Sequence, residues 1–277
     1  MSYLLIDLSY YNFYRFYAIK QWYTRAHPED KFEDDYDWSK NTLFYEKFKK
    51  LYLETLSTFQ KKFKPSKIIL CRDCPRSTIW RMSIFSEYKG TRDLNNKNFT
   101  GGKNIFEKIY SEIIPEILEK NKNMDMICAP QLEADDLIYL TIKNINESTT
   151  INKPEIIRVI SSDNDLLQIV GEFDNVDLLD AKMKSYKEKA GKTRDETLLK
   201  KIILGDTSDN IPKAFKKVGE KTAQILIDNP EKLMDKLKED KDGFEQFAKN
   251  KLLVDFHYIP EELQENYKNS IFNMLGF

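Results

Sequence analysis

Short apolar runs recur along the first two thirds of the chain, and most are followed by a longer amphipathic stretch. Tyr3 to Leu8, Lys67 to Cys71, Met124 to Cys128, Ile156 to Ile160 and Val176 to Leu179 are rich in Ile, Leu and Val. Their length and unbroken hydrophobicity are those of strands buried on both faces. Between them the period changes. Tyr10 to Trp22 is aromatic-rich and helical, and residues 26–40 form an acidic loop. Leu43 to Phe63 sets Phe44, Phe48, Leu51, Tyr52, Leu56 and Phe59 at helical spacing. Ile105 to Leu118 and Leu132 to Ile145 also read as helices. This alternation predicts an α/β fold, a mostly parallel sheet with helices on both faces. After about residue 190 the strand signal fades. Leu198 to Leu204, Thr222 to Ile227 and Phe244 to Leu253 read as helices, so the expected division is 1–190 and a smaller helical module over 191–277.

Candidate chemistry enters at the strand ends. Asp7, Asp73 and the pair Asp163/Asp165 each follow an apolar run. In open α/β sheets the carboxyl ends of the strands form the ligand crevice. Three strands aiming carboxylates at one crevice repel one another unless cations sit there. Glu133, Asp135 and Asp136 open a helix, and Asp206 and Asp209 stand in Gly205-Asp206-Thr207-Ser208-Asp209-Asn210. An all-oxygen cluster suits Mg²⁺ or Mn²⁺ rather than zinc or copper. Two such ions can activate water and stabilise the leaving oxygen of a phosphodiester. Charged residues are 32% of the chain, so a single acidic pair is ordinarily a helix cap or a solvated face. For Asp163/Asp165 alone the two readings weigh equally; five such groups together favour metal.

The 277 residues suffice for one large or two modest domains. The net charge of −1 gives no global attraction to nucleic acid, but Lys and Arg crowd into Lys182 to Lys201 and Lys213 to Lys221. Cys71 and Cys74 form a lone CxxC without further ligands nearby, so neither a zinc nor a redox site is expected. Few cysteines, no leader and no run of membrane-spanning length point to an intracellular protein, cytoplasmic if phage or bacterial, with no membrane partner.

Two segments suggest contact with nucleic acid. Trp80-Arg81 and Glu87-Tyr88-Lys89-Gly90-Thr91-Arg92 place cations and rings near the acids, where they could meet phosphates and bases. The plainer reading is a crossover loop with solvated lysines. Lys216-Lys217-Val218-Gly219-Glu220-Lys221-Thr222 places a glycine before a helix, whose N-terminus can receive phosphate. It lacks the spacing of a nucleotide-binding P-loop.

In this order the motifs resemble the flap endonuclease/5′→3′ exonuclease family: LLIDLS, CRD…WR…EYKGTR, LEADDL, ISSDNDLLQIV, ILGDTSDNIP…VGEKTA and KLLVDFHYIP. The region from the second strand to Trp80-Arg81 is most similar to the phage ribonuclease H branch. The resemblance covers nearly the whole chain. It implies a PIN-like nuclease domain with a helical arch around 80–125, followed by a helical duplex-binding module. It implies two Mg²⁺ or Mn²⁺ ions, with Asp7, Asp73, Glu133 and Asp135 in the first cluster and Asp136, Asp163, Asp165, Asp206 and Asp209 in the remaining positions, Asp163 between the two. Lys89 and Arg92 would act on the scissile phosphate, with Tyr88 stacking on a nucleotide, Arg81 supporting the arch and Arg15 near the 5′ end. Lys216, Lys217, Gly219, Lys221 and Thr222 would grip the duplex. A K⁺ ion is usual in that turn, but Lys217 replaces the family's first glycine and the turn is one residue longer. The implied partners are branched or nicked DNA, RNA–DNA hybrid, and a replication clamp or single-strand-binding protein, for a chain acting as a monomer.

The leading function is therefore a metal-dependent 5′ nuclease. A PIN-type ribonuclease acting on single-stranded RNA would share the acids without needing residues 213–223. A non-catalytic junction binder would lack some of the acids. A phosphatase of the Asp-x-Asp type is disfavoured, since Leu8-Ser9 follow Asp7.

Overall fold

A computed structural model of the chain describes residues 2–33, 35–91, 101–148, 156–189 and 193–276. Five parallel strands form one sheet in the order β3-β2-β1-β4-β5. They are β1 (Ser2–Asp7), β2 (Lys67–Cys71), β3 (Met124–Ile127), β4 (Ile156–Ile160) and β5 (Val176–Leu179). The chain works outward from β1 through β2 to β3, then returns to pair β4 against the other side of β1. The order reverses between β1 and β4, which is where an open parallel sheet leaves a crevice at its carboxyl edge.

Alternation along the strands builds two cores. Tyr3, Leu5, Ile69, Ile157 and Val159 face one side; Leu4, Ile6, Ile68, Leu70 and Ile160 face the other. The second side is covered by α1 (Leu8–Ala26), α2 (Thr42–Phe63) and a helical run made of α4 (Lys103–Lys108), a π turn (Ile109–Ile113) and α5 (Ile114–Lys120). The π turn has a local cause: Pro115 has no N–H to give the preceding turn and displaces the ladder. Ile105, Ile109, Ile113, Ile114 and Ile117 are all buried in that core. Most of the expected arch over 80–125 is thus a sheet-covering layer. Short α3 (Arg81–Ile84) leads into the remainder, of which 92–100, with Arg92, lies outside the described residues.

The first side is covered by α6 (Ala134–Glu147) and α7 (Leu167–Glu172). The C-terminal part contains α8 (Arg194–Leu204), α9 (Glu220–Asp228), α10 (Pro230–Glu239), α11 (Lys241–Val254) and α12 (Glu261–Tyr267). Ile203, Phe215, Val218, Ala223, Leu226 and Leu233 form a small core of their own. Asn250, fully buried, ties α11 to the carbonyls of Ile202 (2.9 Å) and Pro212 (2.8 Å). Phe256, Ile259, Tyr267, Phe272 and Leu275 instead join the core of the sheet, where the Tyr267 hydroxyl lies 2.6 Å from Thr141 Oγ1. The last turns of the expected module are therefore packed on the first domain. Among the described residues no helix is long and apolar enough to cross a membrane.

Candidate metal centre

Asp7 closes β1 and caps α1, accepting from the Tyr10 amide at 3.0 Å. Across the switch point Ser161, just past β4, donates its hydroxyl to the same carboxylate at 2.9 Å. Burial, then the charges of Asp73 and Asp163, raise the Asp7 carboxyl to about 7, against the hydrogen bonds from Tyr10 and Ser161. Asp73 follows β2, accepts from Ser9 Oγ, and receives the Ala134 amide at 2.8 Å, which seats the start of α6.

That helix start carries the next acids. Glu133 and Asp136 form a reciprocal capping box. Glu133 is 2% exposed, and its carboxylate receives Arg81 Nη1 (2.9 Å), the Tyr88 hydroxyl (3.1 Å) and the Lys89 ammonium. Burial opposes its ionisation, but Lys89 and Arg81 outweigh this and hold the group below the usual range. Among the described residues no cation pairs directly with Asp135, whose Oδ1 accepts from the Asp136 amide at 2.8 Å. Burial, then Asp136 and Glu133, push it well above the carboxylate range. One carboxylate oxygen from each of Glu133, Asp135 and Asp136 lies within 4.8 Å of the others.

A second triple, Asp165, Asp206 and Asp209, meets the same distance criterion. It depends on a tight loop in which Asp206 and Ile211 exchange backbone hydrogen bonds of 2.8 and 2.7 Å. Gly205 makes the loop possible: its φ is 68°, and a Cβ would lie 2.4 Å from the Ile211 carbonyl oxygen. Lys201, on the last turn of α8, inserts its ammonium between Asp165 and Asp206, 2.8 Å from the latter. Burial opposes the Asp206 charge, but Lys201 outweighs it and, with Ser208, pulls the carboxyl down to about 2. Asp163 stands at the mouth, capping the turn that carries Asp165. Desolvation by the protein packed around it, then Asp209 and Asp206, raise its carboxyl against the opposing pull of Lys201 and Lys89.

The predicted acids are thus brought together, and their chemistry fits divalent cations. Oxygen donors crowd into two triples, and Asp7 and Asp135 carry repulsion that their neighbours do not relieve. Two lysines already reach in, Lys89 by the first triple and Lys201 by the second. The Lys89 backbone is in the left-handed region at φ 57°, and its amide donates to the Asp209 carbonyl at 2.9 Å. Lys201 escaped the sequence reading; the only signal was its spacing before Asp206 within a lysine-rich stretch. We expect Lys201→Met to raise the Asp206 carboxyl and tighten divalent binding severalfold, read as a lower Mg²⁺ concentration for half-maximal thermal stabilisation. An unchanged Mg²⁺ midpoint would show that this ammonium does not compete for the second triple.

Two expectations need correction. Tyr88 does not offer a stacking face: it is 2% exposed, with its hydroxyl bound by Glu133 and Asp209 (3.0 Å). Arg81 does not reach nucleic acid either. It is 2% exposed and forks onto Asp136 at 2.7 and 2.9 Å, while Nε donates to the Leu253 carbonyl at 2.7 Å. Both are drawn inward because the acid cluster is short of cations and donors. Asp136 lies in the first triple but is fully buried, its oxygens accepting from Arg81, Trp80 Nε1 (3.1 Å) and the Glu133 amide (3.0 Å). Arg15 folds back along α1, its guanidinium 4.9 Å from the Tyr14 ring centre.

Away from the acids, Lys216, Lys217, Gly219, Lys221 and Thr222 are all exposed around the start of α9. Lys217 has φ 61°, the conformation that explains the family's glycine there. A Cβ on Gly219 would meet nothing, so the protein's own packing does not demand that glycine. Lys213 Nζ donates to the Val218 carbonyl at 3.1 Å, placing an ammonium in the turn where the family usually has K⁺.

Comparisons with known proteins agree with this geometry. The profile of the 5′-3′ exonuclease N-terminal resolvase-like domain matches residues 2–197. Ribonuclease H of Enterobacteria phage T4 is 25% identical over 217 residues, covering 74% of this chain and 69% of its own length. The 5′-3′ exonuclease of Bacillus subtilis is 29% identical over 191 residues, 64% of this chain and 56% of the relative. DNA polymerase I of Lactococcus lactis is 27% identical over 232 residues, 81% of this chain but 24% of the polymerase; the chain spans about a quarter of such relatives. In three dimensions the T5 D15 protein co-crystallised with metal ions superposes with a TM-score of 0.69 at 16% identity, over 100% of both chains. The likeness extends to T5 D15 flap endonuclease in a complex with DNA and metal ions, TM-score 0.68.

Proposed function

Because this chain belongs to the 5′-3′ exonuclease family, we propose that it is a divalent-metal-dependent phosphodiesterase that cuts DNA near a 5′ end. Its substrates in this reading are duplexes with a nick, a branch or a 5′ flap, with RNA-primed duplex as a further one. The observation that carries the reading is the convergence of Asp7, Asp73 and Asp163 with two carboxylate triples at the switch point of a parallel sheet.

Asp7, Asp73, Glu133, Asp135, Asp163, Asp165, Asp206 and Asp209 would hold two Mg²⁺ or Mn²⁺ ions, and we assign Asp136 to fixing Arg81 and the start of α6. Bound ions supply an acidified water and neutralise charge on the departing 3′ oxygen. The chain's own residues do the rest. Lys89, held between Glu133 and Asp209 beside the first triple, is proposed to offset charge that builds on the phosphate. Arg92 is proposed for the same phosphate. Ser9 and Ser161 fix the rotamers of Asp73 and Asp7, and the Asp206–Ile211 loop fixes the second triple.

The test is cleavage with Mg²⁺ of 5′-flap, nicked and RNA-primed duplexes beside a single-stranded RNA of equal length. Cutting near the flap junction, with phosphate on the 5′ end of the product, is the expected result. Preference for the single-stranded RNA would replace this reading with the ribonuclease one, and no cutting of any substrate would leave a binding protein.

Residues from about 191 to 254 would grip the duplex. Replacing Lys216, Lys217 and Lys221 together by Ala should weaken duplex binding and flatten the log–log salt slope by roughly 0.9 per lost contact. Fluorescence anisotropy across a salt series reads this directly. A weaker Kd with an unchanged slope would mean these lysines shape the fold rather than meet phosphate. With Lys213 on the Val218 carbonyl, duplex affinity should also be indifferent to exchanging K⁺ for Na⁺.

A further inference from the structure

The stretch Leu253-Val254-Asp255-Phe256-His257 supplies none of the converging acids, yet buried polar groups from both triples meet on it. The cause is the way a helix ends: the last carbonyls of α11 have no intrahelical amide to receive. Arg81 Nε donates to the Leu253 carbonyl at 2.7 Å, and Gln168 Nε2 donates to the Val254 carbonyl at 2.9 Å. Just beyond, buried Asp255 pairs with Arg194, which also holds Glu172 at the end of α7 at 2.9 Å. Phe256 stacks on Tyr139, with 5.2 Å between ring centroids.

Gln168 does more than close the helix. Its Nε2 also donates to the Asp165 carbonyl at 3.0 Å, and its Oε1 accepts from the Phe256 amide at 3.3 Å. The Asp165 amide is in turn held by the Asp163 carboxylate at 2.9 Å. A buried glutamine is ordinarily a plain tie within the fold. This one is 2% exposed, and it joins the main chain of an acid of the second triple to the end of a helix in the C-terminal part. A side-chain amide suits the place, with two N–H groups for two carbonyls and an oxygen for one N–H. A glutamate of the same length would set its charge against both carbonyls.

We propose that Gln168 is a positioning residue for the second triple, locking Asp165 to the end of α11 so that a cation bound there and the 253–257 junction stabilise one another. The proposal rests on the metal-dependent reading and adds to it how the helical part of the chain completes the site. Such coupling is reciprocal: if the junction holds the acids for the ion, the ion must hold the junction.

The test reads ion binding and junction opening with no substrate present. Mn²⁺ uptake is followed by the paramagnetic resonance of the free ion, and amide hydrogen exchange across 253–257 is measured with and without saturating Mg²⁺. In the wild type, Mg²⁺ should slow that exchange. Gln168→Met should weaken one Mn²⁺ site by roughly 10- to 100-fold, leave the other near its wild-type value, and lose the slowing at 253–257. Duplex affinity in chelator should stay near the wild-type value, because the lysine turn is untouched. Tyr267→Phe controls for lost stability alone: it breaks the buried hydrogen bond to Thr141 and should leave Mn²⁺ uptake unchanged. Wild-type Mn²⁺ uptake in Gln168→Met, or equal losses in Gln168→Met and Tyr267→Phe, would overturn the proposal and leave the phosphodiesterase reading standing. If Gln168→Met does not fold, the wild-type exchange decides alone, and an absence of slowing at 253–257 overturns the proposal. A wild type that takes up no Mn²⁺ overturns both.

Discussion

Asp7→Asn should melt at a higher temperature than the wild type in metal-free buffer at pH 8, and should fail to cleave. The folded protein holds this carboxyl at about 7, far above the roughly 3.9 of an unfolded chain. For such a group the stability contribution is full below the unfolded value and is lost as pH rises through the folded one. Between about pH 4 and pH 7 the metal-free wild type should therefore lose stability, and above pH 7 it carries the whole repulsion with Asp73 and Asp163. An Asn side chain still accepts from the Tyr10 amide and can pair with Ser161, without the charge. We expect the variant to gain on the order of 2 to 4 kcal/mol at pH 8, with the gap closing toward pH 5. Saturating Mg²⁺ should raise the wild-type melting temperature more than that of the variant, since bound cations relieve the same repulsion. Cleavage should fall by roughly 10² to 10³ or more. A variant less stable at pH 8 would mean that Asp7 is mainly a helix cap.

The strand acids could be read from the sequence for a simple reason. A strand buried on both faces is an apolar run, so a carboxylate at its end is an anomaly the eye can find, and Asp7, Asp73 and Asp163 stand at three such ends. The loop acids Asp206 and Asp209 were legible as an acidic pair in one short polar segment, and the positive φ of Gly205 is what the structure adds to explain its tight turn. The failures share another cause. Arg81 and Tyr88 look locally like exposed cation and ring, and nothing in their own segment announces burial. Their partners come from 45 to 172 residues further along, so the inward turn is a long-range event, chiefly electrostatic. Lys201 was hidden among lysines of similar spacing. Helix α10 was missed because Leu233 is its one buried residue among charges, and α7 because six residues are too few to display a period. The packing of residues 256–275 on the sheet could not be read locally either, since α12 carries little beyond Leu263 and Tyr267 to identify its buried face.

Arg81→Met should have the opposite signature to Asp7→Asn. Arg81 is the cation that Asp136 depends on: two N–H groups meet its carboxylate at 2.7 and 2.9 Å, and both side chains are buried. One of these N–H groups also serves Glu133, and Nε holds the Leu253 carbonyl at the end of α11. Met fills much of the space but leaves an uncompensated buried carboxylate, which costs about 3 to 5 kcal/mol. For a chain of this size that is a fall in melting temperature on the order of 10 °C. Arg81→Lys should recover less than half, because an ammonium supplies one charge but not the fork that serves Asp136, Glu133 and Leu253 together. Arg81→Met should also loosen the contact between α3 and α11, read as faster proteolysis after residue 254. Calorimetry of the metal-free variants reads this loss. If Arg81→Met melts within a degree or two of the wild type, the buried fork is not what holds the start of α6, and the Trp80 and Glu133 contacts to Asp136 suffice.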